Sequence, residues 1–179
     1  MGNLTTREAL SLRWAQIVND PTLRDLPYKM ELNRFGKIEM SPANNRHARL
    51  QGYFAGELAR QLADGGVLTE CPILTEIGVR VPDVAWASSA FLDRNGDTTP
   101  FPQAPEICIE IVSPSNADEE MRQKAQAYLA AGAKEVWLVA EEGQVRFVDA
   151  AGERPATSFG VHVSPPPPAA KAGTPRRRA

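Results

Sequence analysis

The most regular apolar spacing in the chain lies over residues 45–62, where Leu50, Phe54, Leu58 and Leu62 recur at steps of four. That spacing predicts an amphipathic helix, which stops before Gly65-Gly66. Upstream, Ala9, Leu10, Leu12, Trp14, Ile17 and Val18 spread over much of a helical wheel, so residues 6–18 are expected to form a first helix capped by Thr5 or Thr6. Between the two helices, segments 28–32 and 37–40 flank Gly36 as a short hairpin ended by Ser41 and Pro42. A β region follows over 67–74, 77–79 and 84–86, with Pro72 and Pro82 marking irregular or edge positions. Residues 88–105 are rich in Asp, Asn, Thr and Pro and read as a long connection with room for one short helical turn.

The strongest strand pattern covers 106–112 and is broken by Pro114. Ser115 or Asn116 then caps a helix reaching about Ala131, with Asp118 and Glu119 near its positive end and Gly132 as its stop. Segments 135–139 and 144–148 form a hairpin pattern around Glu142-Gly143, and 158–163 is expected to add one more strand. This order of elements predicts an α/β (α+β) domain over 1–163, a mixed sheet flanked by helices. The four successive prolines, small residues and terminal arginines of 164–179 cannot build a core, so that tail is expected to be disordered.

Composition narrows the class. With 179 residues, 42% of them hydrophobic, the chain can bury one sizeable core without disulfides. No apolar run approaches the ~20 residues a membrane helix needs, and no secretory leader pattern opens the chain, so a soluble cytoplasmic protein is expected. Cys71 and Cys108 lack any metal-ligand spacing and read as buried reduced thiols. The net charge of −2 is uneven, because Lys171, Arg176, Arg177 and Arg178 crowd the C-terminal end. The rest of the chain is acidic, which counts against a tight constitutive DNA binder but not against an enzyme whose acidic site holds a cation.

Three segments carry candidate chemistry. Alternation along 106–112 puts Ile107, Ile109 and Ile111 on one face and Glu106, Cys108, Glu110 and Val112 on the other. Glu110 is then a carboxylate in an apolar strand, and its desolvation calls for a specific partner: a divalent metal, an arginine, or solvent at a strand end. In the next helix Met121, Lys124, Ala125, Tyr128 and Leu129 follow a core-facing stripe, so Lys124 either snorkels outward, pairs with an acid, or approaches Glu110. Asp83 enters a strand just after Pro82, a pair that elsewhere usually marks a turn.

At these residues the sequence resembles the PD-(D/E)XK nuclease superfamily, and more closely the Uma2-like family of putative restriction endonucleases. The matching segments are Glu39-Met40-Ser41-Pro42 with His47, Val81-Pro82-Asp83-Val84, Glu110-Ile111-Val112-Ser113-Pro114-Ser115, Lys124 with Tyr128, and Gly132 through Glu135-Val136-Trp137-Leu138-Val139. The resemblance implies a restriction-endonuclease-like core with Asp83 and Glu110 as ligands of Mg²⁺, for which Mn²⁺ can substitute, and with Asp83, Glu110 and Lys124 as the catalytic set. Glu39, His47 and Tyr128 are accessory candidates, although Glu39 also fits an exposed hairpin acid and His47 a surface position at a helix start. The superfamily's lysine stands two residues after the acid, where this chain has Val112. The resemblance moves that role to Lys124.

The expected activity is Mg²⁺-dependent hydrolysis of DNA phosphodiester bonds, by a homodimer suited to two cuts in a duplex. A catalytically inactive nuclease-fold binding protein is the alternative, favoured by the acidic core and the missing strand lysine. A hydrolase of another phosphorylated substrate would use the same ions. Whether Asp83, Glu110 and Lys124 converge on one cavity is the first discriminator.

Overall fold

The computed structural model describes residues 6–113 and 118–169. Along the chain run α1 (Arg7–Asn19), β1 (Tyr28–Asn33), β2 (Ile38–Pro42), α2 (Asn45–Gln61), β3 (Gly65–Thr69), β4 (Ile73–Thr75) and β5 (Gly78–Arg80). They are followed by β6 (Val84–Ser88), α3 (Ser89–Asn95), β7 (Ile107–Val112), α4 (Asp118–Ala130), β8 (Glu135–Ala140), β9 (Val145–Asp149) and β10 (Gly152–Arg154). No described helix is long and apolar enough to cross a membrane.

The strands divide into two sheets. β10-β9-β8-β7-β6-β3 form a six-stranded mixed sheet, in which only β7 and β8 run parallel, joined through α4. β2-β1-β5-β4 form a second, antiparallel sheet of four strands. The expectation of one continuous β region over 67–74 is corrected here. Glu70 takes a positive φ of 54°, and the chain leaves β3 in one sheet to enter β4 in the other. Gly78 permits the closing of the second sheet: at φ 128° it sits so near β1 that a Cβ would lie 1.9 Å from the Leu32 carbonyl oxygen.

α2 and α4 cover the faces that their apolar stripes predict. Leu50, Phe54 and Leu58 of α2 are fully buried against Ile107, Ile109 and Trp137 on one face of the six-stranded sheet. α4 covers the other face, packing Met121, Ala125 and Tyr128 with Cys108, Val136 and Leu138. The inward and outward alternation expected for β7 is thus realised, and Cys71 and Cys108 are buried free thiols. α1, capped by the Thr6 hydroxyl accepting from the Ala9 N–H at 3.2 Å, lays Leu10, Trp14 and Ile17 on the four-stranded sheet over Leu32 and Val79. The polar connection holds one two-turn helix, α3, with the Ser88 hydroxyl as its cap.

Segment 158–163 is not a strand, which corrects that expectation. Backbone donors here reach side chains of other elements: Ser158 N–H donates to Glu135 Oε1, and His162 N–H to Gln61 Oε1 at 2.8 Å. Phe159 and Val161 still pack on the α2 side of the sheet. The first residues of the expected tail also touch the domain, since Ser164 N–H donates to the Tyr53 hydroxyl at 2.6 Å and Arg46 donates to the Pro167 carbonyl. The Pro114 break, the Ser115 or Asn116 cap and residues 170–179 lie outside the described residues.

Candidate active site

The two sheets and the start of α2 enclose a cleft of about 710 Å³. Asp83, the residue before β6, is held there by its main chain: its N–H donates to the Ile109 carbonyl at 2.9 Å, and its carbonyl accepts from Gln51 Nε2 at 3.0 Å. Pro82, with its own φ fixed, stiffens the chain just before Asp83. Asp83 Oδ2 accepts from the Ile111 N–H at 2.6 Å, while Oδ1 faces Lys29 Nζ at 2.6 Å and His47 Nε2 at 3.0 Å.

Glu110 lies beside it on the α4 side of β7. The helical spacing places Lys124 and Tyr128 one turn apart above it. Tyr128 donates its hydroxyl to Glu110 Oε1 at 2.7 Å, and Lys124 Nζ lies 3.4 Å from the same oxygen. Glu110 Oε2 lies 3.6 Å from Lys29 Nζ. One ammonium therefore reaches both carboxylates. Asp83, Glu110, Lys124 and His47 line this cleft, and Tyr128 is buried behind Glu110. Lys124 does not snorkel, its side chain being only 8% exposed.

Glu39 stands apart. Its carboxylate is 46% exposed, pairs with Arg80 at 2.6 Å and does not reach Asp83 or Glu110. The carboxylate that enters the site from this hairpin is Glu31, its register partner across the strand pair. Glu31 accepts from the Val81 N–H at 2.9 Å and pairs with Lys124 at 2.9 Å and Arg80 at 3.2 Å. Lys29, Glu31 and Arg80 are absent from the sequence-derived set. Alternation along β1 carried a signal: it puts Lys29 and Glu31 on one face while Met30 and Leu32 turn to the core under α1.

The charges set each other's protonation. Burial opposes ionisation of Asp83, yet Lys29 and His47 outweigh it and bring its carboxyl down to about 2. Burial dominates at Glu110, pushing its carboxyl above the usual range against the pull of Lys124 and Lys29. Glu31 is likewise desolvated, but Lys124, Lys29 and Arg80 together hold it below that range. The hydrogen bond to Asp83 raises His47. Burial also pulls on Lys124, but Glu110 and Glu31 keep its ammonium above the ordinary lysine value.

Among the described residues no three or more His, Cys, Asp or Glu side chains gather as a ready metal cage. The donor set nevertheless fits a hard, partly hydrated divalent cation, which needs only one or two carboxylates and keeps waters for its remaining positions. Asp83 Oδ1 and Glu110 Oε2 already converge on a single positive charge, the Lys29 ammonium.

The family model Uma2, putative restriction endonuclease, matches residues 20–167. No curated protein matches the chain. Among solved structures, the crystal structure of a putative nuclease belonging to DUF820 from Anabaena variabilis ATCC 29413 is similar with a TM-score of 0.58 and 19% identity, covering 75% of this chain and 86% of that one, which is a likeness of fold. A cryo-electron microscopy structure of a DrdV–DNA complex gives a TM-score of 0.38 and 13% identity over 82% of this chain and 11% of that one. Since the family model spans most of the sequence, the chain belongs to the Uma2 family of putative restriction endonucleases.

Proposed function

We propose that the cleft is the active site of a divalent-cation-dependent endonuclease that hydrolyses phosphodiester bonds of DNA. The observation that supports it most is the approach of Asp83 and Glu110 from two adjacent strands to one shared cation. In this reading the two carboxylates hold Mg²⁺ or Mn²⁺. When bound, the ion polarises a phosphoryl oxygen and makes a coordinated water more acidic.

The remaining residues prepare that site. Tyr128 fixes Glu110 through its hydroxyl, which leaves Glu110 Oε2 facing Lys29 and the cleft. Lys124, held between Glu31 and Glu110, supplies positive potential against the charge that grows on the phosphate as water attacks phosphorus and the ester oxygen departs. His47, on the first turn of α2, orients Asp83 from the cleft side. A homodimer acting on cytoplasmic DNA is part of the proposal, since two strands of a duplex call for two such sites.

Incubating the protein with supercoiled plasmid and linear DNA, in Mg²⁺, Mn²⁺ or chelator, tests it. Nicked or linear product with metal and none with chelator is expected. One observation favours a second reading, a nuclease fold retained for binding alone: both carboxylates already carry ammonium partners. DNA left intact under every metal condition, with binding retained, would support that reading instead.

A further inference from the structure

Resting on the cation site just proposed, we infer that Lys29 is its placeholder. Its ammonium bridges the two carboxylates until a divalent cation takes that position.

The assignment follows from which oxygen is spoken for by what. Asp83 Oδ2 is taken by the Ile111 N–H, and Glu110 Oε1 by the Tyr128 hydroxyl and Lys124. The oxygens left to face the cleft are Asp83 Oδ1, which His47 Nε2 also approaches at 3.0 Å, and Glu110 Oε2, and Lys29 lies at 2.6 Å and 3.6 Å from them. A divalent ion shared by the two carboxylates needs those same oxygens. Two positive charges cannot occupy one such position without strong repulsion, so the ion and the ammonium exclude each other. Without either, Asp83 would keep only His47 and Glu110 only Lys124 as cationic partners, and no charge would bridge the two nearly buried carboxylates.

The two lysines of the site differ in freedom. Lys124 is clamped by both oxygens of Glu31 and one of Glu110, under α4. Lys29 extends from β1, lines the cleft, and is more open, with 13% of its side chain exposed. Its four-carbon stem lets the ammonium swing while the strand stays fixed.

Mn²⁺ titration calorimetry on the wild-type protein and Lys29→Met tests the inference. The variant is expected to bind Mn²⁺ at least tenfold more tightly, and to gain more in melting temperature on adding Mn²⁺, because no ammonium has to leave. Unchanged or weaker affinity in Lys29→Met overturns the placeholder role while leaving the cation site standing. No Mn²⁺ binding by either protein overturns the cation site itself, and the inference with it. Should Lys29→Met not fold, lysine labelling of the wild-type protein read by mass spectrometry gives the same decision. Lys29 is expected to be protected without metal and labelled faster with Mn²⁺. Equal labelling in both conditions overturns the inference.

Discussion

Tyr128 and Glu110 meet across 2.7 Å in the interior, the hydroxyl donating to Oε1 of a carboxylate that is only 3% exposed. The bond ties α4 to β7 at the point where the carboxylate must be aimed, since an oxygen held by the phenol cannot rotate away from the cleft. Tyr128→Phe keeps the ring and removes only the donor. It is expected to lower unfolding free energy by about 1–3 kcal/mol, the usual result of stranding a buried acceptor. Urea denaturation reads this directly, and the same variant should weaken Mn²⁺ binding.

Glu31 organises the cationic side of the site. Glu31→Gln removes the charge that Lys124 and Arg80 share, leaving Glu110 at 3.4 Å as the anionic partner of Lys124. Breaking a buried ion pair from one side costs about 3–5 kcal/mol. Glu39→Gln, at an exposed carboxylate, should cost less than about 1 kcal/mol. Comparing the two melting curves separates the carboxylate that builds the site from the one at its margin.

Acid should unfold the protein partly through Asp83. Its folded value lies near 2, below the ordinary 3.8, so the folded protein holds this proton less tightly than the unfolded chain does. The stability it contributes is therefore present above about 3.8 and is lost as pH falls toward about 2. Asp83→Asn should flatten this part of the stability curve. Urea midpoints measured from pH 6 downward would show a wild-type slope missing from the variant, and parallel curves would argue against the pairing.

The two-residue alternation of β7 and the helical stripe of α4 give Glu110 and Lys124 their directions, whereas Asp83 after Pro82 reads by itself as a turn; it is the family resemblance that joins the three as one candidate set. Lys29 and Glu31 were not legible in the sequence, although their strand was. Their meaning depends on the four-stranded sheet closing against the six-stranded one, and that depends on the turn at Glu70, where a non-glycine residue takes a positive φ. No local period announces such a turn. Segment 158–163 misled for a related reason: its apolar residues alternate like a strand, but its amide donors find Glu135 and Gln61, distant in sequence.

The C-terminal segment divides at a testable point. Removing 170–179, a segment without a large apolar side chain, should leave the melting temperature within a degree or two. Ending the chain at Val163 also removes the Ser164 bond to Tyr53 and the Pro167 bond to Arg46, and should lower stability by about 1 kcal/mol. Identical melting curves for the two truncations would show that these contacts contribute nothing.

That Asp83 and Glu110 share a divalent cation is tested most directly by titrating Mn²⁺ into the wild-type protein and Glu110→Gln. Lys124 keeps Glu31, and Lys29 keeps Asp83, so the variant is expected to fold. The wild-type protein is predicted to show one saturable site per chain and Glu110→Gln none. Mn²⁺ binding of equal affinity in both would contradict the assignment.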